Sequence, residues 1–330
     1  MKKMQIGTSG IETSAIGLGT WAIGGGAWWG DNNDSESIKT IRRALDSGIQ
    51  WVDTAPVYNM GHSEDIVGKA LQDGYRQKAI LSTKCGLIWD RKSGSYHELI
   101  EGKEVYRDLS PASIRQGLEE SLHRLKTDYI DVFFTHWQSI EPEFTPIEET
   151  MGELMKLKQE GKIRAIGASN VQISHLEQYI KNGELDVIQE KYSMLDRRLE
   201  TEILPYCDEH HISVQAYSPL EQGLLTGTVT METVLRPEDV RFKKRWWNEG
   251  RAGVLAMLDG WKDLCEKYKC TIGNLVIAWT IRRGNSMNVL CGARKVEQVM
   301  DNVKGGQVEL EQADYERMTQ DADRLIAQLK

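Results

Sequence analysis

Short apolar runs recur along the chain near residues 15–19, 49–53, 79–84, 129–136, 163–168, 186–191, 212–217 and 287–291. Each has the length and near-continuous apolar character of a strand buried on both faces. Between them the period changes to that of helices with readable starts. Ser110 precedes Pro111 as an N-cap, and Ile114, Leu118, Leu122 and Leu125 follow on one face. Thr145-Pro146-Ile147-Glu148 reads as a capping box with proline at the first helical position. Thr271 is placed to cap a helix over 272–283 that carries Leu275, Val276 and Trp279. Residues 3–14 read as a hairpin turning on Gly7-Thr8-Ser9-Gly10, and a last helical stretch, 311–329, has no strand to follow it. Eight strands with intervening helices predict an α/β chain folded as a single parallel (β/α)8 TIM barrel over residues 1–330. An N-terminal β-hairpin and an extra C-terminal helix are added to it.

Composition narrows the class. With 330 residues, 40% hydrophobic and 27% charged, the chain reads as a soluble globular protein. A net charge of −8 argues against nucleic acid or an anionic membrane as partner. No run approaches the roughly 20 apolar residues of a membrane helix, and no apolar signal segment follows the basic start. Five cysteines without paired spacing fit a reducing compartment, so a cytoplasmic location is expected. Cys265 and Cys270 lack a matching His or Cys pair, and no metal is expected. Asp31-Asn32-Asn33-Asp34 lacks the glycine of a calcium loop and reads as a helix start.

The chemistry collects at strand ends. Trp51-Val52 runs into Asp53, Ile80-Leu81 runs towards Lys84, and 129–135 delivers His136. Tyr58 lies five residues past Asp53, on a loop stiffened by Pro56. A phenol with a pKa near 10 is a poor proton donor at neutral pH unless its surroundings change that value. A neighbouring ammonium held by a carboxylate does so, and an imidazole can orient a carbonyl oxygen. Singly, these residues read as a structural ion pair, a loop aromatic and a core histidine; all four at strand ends make the chemical reading the stronger one.

Gly17-Leu18-Gly19-Thr20-Trp21-Ala22 formally matches a dinucleotide-binding glycine pattern, but the glycine-rich stretch to Gly30 cannot open the helix that motif needs. Ser169 and Asn170, Gln189 and Tyr217 sit at later strand ends. Amide partners with one aromatic face suit a planar amide such as a nicotinamide carboxamide, although a Ser-Asn pair is also an ordinary helix cap. Gly292-Ala293-Arg294-Lys295 precedes the helix-like 296–304, a pattern for phosphate. Of ten tryptophans, Trp28, Trp29, Trp89, Trp137, Trp246 and Trp247 fall in loops; they either line a pocket for sugars or aromatic aldehydes or pack the loops themselves.

With these residues laid out, the chain resembles the aldo-keto reductase superfamily over essentially its whole length. The resemblance rests on Gly19-Thr20-Trp21, the Asp53…Tyr58 pair, Lys84, His136-Trp137, Ser169-Asn170, Gln189, 217–220 and 292–294 in that order. Within the superfamily the chain is most similar to bacterial general aldehyde and sugar-type reductases, near those associated with inositol operons. The hairpin matches that family's barrel-bottom cap. The resemblance implies NADPH-dependent reduction of a small-molecule carbonyl without metal, by a monomer or weak homo-oligomer. Tyr58 would be the general acid, Lys84 paired with Asp53 would lower its pKa, and His136 would bind the oxygen.

By position, Gly19, Thr20, Trp21 and Asp53 would be cofactor contacts, Ser169, Asn170 and Gln189 would hold the carboxamide, and Tyr217 would stack on the nicotinamide. Ser218, Pro219, Leu220, Gln222, Gly223 and Leu224 would follow the pyrophosphate. Gly292, Arg294, Gln298 and Asn302 would receive the adenosine end. Trp28, Trp89, Trp137 and Trp247 are the candidate substrate contacts.

The sequence departs from the family at Thr228, where many relatives carry a phosphate-binding lysine; Arg241, Lys243, Lys244 and Arg245 are candidates to replace its charge. Glu221 also stands where small neutral residues are frequent, and its side chain is expected to point away from a pyrophosphate. Some superfamily members bind the cofactor as accessory channel subunits with little turnover. A barrel lyase or isomerase with Lys84 as Schiff base is a third reading.

Overall fold

A computed structural model describes residues 1–329 except Glu101 and Asn285. The strands are β1 (Lys3–Ile6), β2 (Ile11–Ser14), β3 (Ile16–Gly19), β4 (Trp51–Asp53), β5 (Ile80–Cys85), β6 (Leu87–Ile88) and β7 (Ser95–Ile100). They continue with β8 (Lys103–Arg107), β9 (Ile130–Thr135), β10 (Ile163–Ser169), β11 (Val187–Lys191), β12 (Ser213–Tyr217) and β13 (Met287–Gly292). Eight of these close a barrel in the order β10-β11-β12-β13-β3-β4-β5-β9, every pairing parallel. All eight predicted runs are the barrel strands, and the β1–β2 hairpin and the final helix, Gln312–Leu329, also form.

The interior is layered. At the bottom, Ile6 and Ile11 from the hairpin pack on Trp51, Val132, Phe134, Ala165 and Val187, sealing that end with apolar surface. Gly7 makes the approach possible: a Cβ there would lie 2.2 Å from the Asp186 carbonyl oxygen, and its φ is +50°. Higher in the barrel the layer turns polar. Gln189 Nε2 donates to Gln215 Oε1 (2.5 Å), Gln215 Nε2 to Asn288 Oδ1 (2.8 Å), and Asn288 Nδ2 to the Ser14 carbonyl (2.9 Å). This chain of amides gives each of its side-chain nitrogens an acceptor.

The helices on the outside follow their caps, with one correction. Ser110 Oγ accepts from Ser113 N, and Thr271 forms a reciprocal capping box with Asn274. The predicted box at Thr145 does not form. Pro146 has extended backbone (ψ 143°) and occupies the cap position itself, so the helix begins one residue late, at Ile147. Thr145 is thereby too far back to reach the third helical amide.

Two further elements depart from expectation. Leu87–Ile88, Ser95–Ile100 and Lys103–Arg107 pair as a three-stranded antiparallel sheet, β6-β8-β7, which the sequence did not announce because its strands are short and interleave charged, exposed residues with buried ones. The glycine-rich loop after β3 does contain a single helical turn, Gly26–Trp29, beyond a 3-10 turn at Ala22–Gly24. That turn is far from the strand end, so the loop is still no dinucleotide-binding helix start.

Candidate active site

The four strand-end residues converge. Lys84 Nζ donates to Asp53 Oδ2 (2.7 Å), to the Thr54 carbonyl (2.8 Å) and to Tyr58 Oη (3.1 Å). An ammonium has three protons, and all three are taken. Tyr58 Oη therefore accepts from Lys84, and its own proton is left to point into the cavity that Tyr58 lines. Asp53 is held as firmly: its Oδ1 accepts from Ser82 Oγ (2.7 Å) and Gln189 Nε2 (2.9 Å). The His136 ring stands edge-on to the phenol at 5.9 Å between centroids, and its backbone N–H donates to the Cys85 carbonyl (2.9 Å).

The electrostatics follow from burial and charge. Burial alone would depress the Lys84 pKa, but Asp53 and then Tyr58 outweigh it, so the ammonium is held above its ordinary value. Burial pushes His136 well below its ordinary value, with the Lys84 charge and His97 adding to the shift, so the imidazole is neutral at physiological pH. Tyr58 corrects an expectation. Lys84 does pull its pKa down, but burial is the larger influence and Asp53 adds to it, so the net direction is upward. The Tyr58 phenol is consequently protonated at neutral pH.

These groups face a cavity of about 770 Å³ at the C-terminal end of the barrel. Gly19, Trp21, Trp28 and Trp137 form one part of its lining, with Asp53, Tyr58 and His136 at its floor. Ser169, Asn170, Gln189, Tyr217, Ser218, Pro219 and Leu220 continue it, and Gln222, Gly223, Gly292, Arg294 and Gln298 complete it.

Several expected contacts are not on the wall. Lys84 lies behind Tyr58 and reaches the cavity only through it. Thr20 is buried, its hydroxyl donating to the Asp53 carbonyl (2.8 Å). Leu224 is core, and Asn302 is buried with its Nδ2 directed at the Gly292 carbonyl (3.4 Å). Trp89 packs on the cluster of Val57, Leu87, Ile100 and Val105. Trp247 is wholly buried, its Nε1 donating to the Glu221 carbonyl (3.1 Å), so it shapes the loop and not the pocket.

The wall also holds His97 and Glu98 on β7, which sequence reasoning missed, and Arg241 in the 229–250 segment, one of the basic residues offered as a replacement for the missing lysine. No motif marked His97 or Glu98, and only the basic run 241–245 signalled the last. Arg241 is already bound bidentately by Asp239, at 2.8 and 2.7 Å. Lys244 and Thr228 line the cavity as well. Glu221 does point away, its carboxylate accepting from Ser193 Oγ (2.6 Å) and facing Lys191 Nζ (3.3 Å).

The lining suits a nicotinamide dinucleotide. Gln189 uses its amide protons on Asp53 and Gln215, which leaves Oε1 to accept from a carboxamide. Tyr217 Oη donates to Asn170 Oδ1 (3.0 Å), which fixes the ring as one side of a slot. The buried Nε1 atoms of Trp21 and Trp29 have no hydrogen-bond partner among the described residues, so two donors are available to a ligand. A Cβ on Gly292 would meet nothing within 4 Å, leaving the approach to Arg294 open.

Fold and site together define a class. The Aldo/keto reductase family matches residues 15–322, and the chain belongs to that family. Among individual relatives, it is 49% identical over 327 residues to the NADH-specific methylglyoxal reductase of Escherichia coli, covering 98% of this chain and 99% of that one. It is 39% identical to the aldo-keto reductase YhdN of Bacillus subtilis, covering 91% and 87% of the two chains. Of solved structures, the glycerol dehydrogenase AKR11B4 of Gluconobacter oxydans superposes with a TM-score of 0.86 at 35% identity, covering 99% of this chain and 95% of that one. Among the described residues no helix is long and apolar enough to cross a membrane, and no group of His, Cys, Asp and Glu could hold a metal ion.

Proposed function

We propose that the chain reduces aldehyde and ketone carbonyls to alcohols with a nicotinamide dinucleotide, Tyr58 acting as general acid. The observation that carries this is the count of protons on Lys84, whose three donors all have acceptors, so that the Tyr58 proton is the one free to reach a substrate oxygen. The bound cofactor would supply the hydride. Neutral His136 donates a second hydrogen bond to the same oxygen, and the buried ammonium stabilises the phenolate left after proton transfer. Asp53 keeps that ammonium charged and placed.

The preferred cofactor follows from Arg294. Its planar fork at the cavity edge suits the 2′-phosphate of NADPH, with Gln298 holding the local turn through the Arg294 amide (2.8 Å). A second reading, NADH, is favoured by two observations. Arg294 Nη1 already donates to the Trp29 carbonyl (3.0 Å), and the Escherichia coli relative is named NADH-specific. The test is oxidation of each reduced cofactor against a panel of carbonyls. Turnover supports the proposal. Binding without turnover would mean an accessory role, and a borohydride-stable adduct at Lys84 would mean a Schiff base.

A further inference from the structure

The β6–β8 sheet brings to the cavity a second imidazole with a defined tautomer. Arg107 Nε donates to His97 Nδ1 (3.0 Å), so Nδ1 is the acceptor nitrogen and the ring proton sits on Nε2. Arg107 is itself locked, its Nη1 donating to the Gln138 carbonyl (3.2 Å) and its guanidinium lying 4.8 Å from the Trp137 ring centroid. The His97 ring leans on Trp137 at 5.4 Å, which sets its plane. Burial, reinforced by the Arg107 charge, depresses the His97 pKa to about 4, so the ring stays neutral. Glu98 Oε1 lies 3.4 Å from His97 Nε2, too long for a strong hydrogen bond, and both residues line the cavity that holds Tyr58 and His136.

A donor and an acceptor side by side on one wall match a hydroxyl group, which can accept from Nε2–H and donate to the carboxylate. We propose that His97 and Glu98 form a hydroxyl-recognition pair that directs the enzyme towards hydroxylated aldehydes and ketones, with Arg107 as the residue that positions His97. This rests on the carbonyl-reductase reading of the same cavity. A ketone oxygen in place of the hydroxyl would use His97 but not Glu98, because it has no proton to give.

The test compares kcat/KM for glyceraldehyde, methylglyoxal and propanal in the wild type and in His97→Leu, His97→Gln and Glu98→Leu. One site hydrogen bond contributes roughly fivefold to thirtyfold. His97→Leu should lower the first two substrates by about that factor and leave propanal within about twofold. His97→Gln retains an N–H and should recover much of the loss, which separates recognition from misfolding. Glu98→Leu should lower glyceraldehyde alone. Equal losses on all three substrates, or none, would overturn the pair while leaving the reductase reading intact. A wild type inactive on every carbonyl with either cofactor would instead overturn that reading, and this inference with it.

Discussion

The two walls of the cavity are built differently. One comes from the barrel: Asp53 and Gln189 end or lie within parallel strands, are almost fully buried and are bound to each other at 2.9 Å, with Lys84 behind the wall bound to Asp53 at 2.7 Å. The other comes from additions to the barrel: Trp28 on a one-turn helix, His97 and Glu98 on the β6–β8 sheet, and Arg241 on the 229–250 segment. Its members are partly or fully exposed. Catalysis needs groups placed within fractions of an ångström, which a buried hydrogen-bonded layer provides. Selection needs surfaces that change without disturbing that layer, which loops provide. On the proposed reading, the first wall sets the reaction and the second sets which molecule undergoes it.

Substitutions in the barrel wall should lower the rate for every substrate alike. Tyr58→Phe should cost about 10²- to 10⁴-fold in kcat on all carbonyls, with cofactor affinity kept. Steady-state assays with two dissimilar aldehydes measure it, and a loss confined to one would place Tyr58 among the selecting residues.

Lys84→Met comes next. Removing one partner of a buried pair costs about 3–5 kcal/mol, and the Ser82 and Gln189 hydrogen bonds to Asp53 should hold the loss near the lower end. Urea unfolding reads the stability, and kcat should fall without loss of cofactor binding. A wild-type rate would detach the ammonium from the chemistry.

Arg294→Ala, on the far side of the cavity, should act on binding alone. If Arg294 meets a 2′-phosphate, NADPH affinity falls roughly 10- to 150-fold while NADH affinity hardly moves. Tryptophan fluorescence titration with both cofactors measures this, and equal changes would place Arg294 away from the phosphate and favour the NADH reading.

The same division explains what could be read in the sequence. The barrel strands are apolar on both faces and end on charged or amide residues, so eight runs and four chemical residues stood out without coordinates. Lys84 was legible as a partner of Tyr58, but the balance between its charge and burial was not, because desolvation depends on packing from every side. Trp247 looked like a pocket residue because loop tryptophans all look alike in sequence; only the fold shows its indole turned inward to the Glu221 carbonyl. His97 was invisible for the converse reason. Its strand alternates weakly, and its tautomer is set by Arg107, ten residues away on the paired strand β8.

In the proposed reaction Tyr58, not His136, gives the proton, and the pH dependence of a single turnover at saturating cofactor and substrate tests that most directly. Tyr58 has its pKa raised above 10, so the acid stays protonated through neutrality and is lost only as pH rises beyond that value. His136 is depressed well below 6.5 and does not change charge near neutrality. Carbonyl reduction should therefore be flat from about pH 6 to 9 and decline only at strongly alkaline pH, with the decline displaced further upward in Lys84→Met. A fall in rate centred between about pH 6 and 7 would make an imidazole the proton donor and contradict the account.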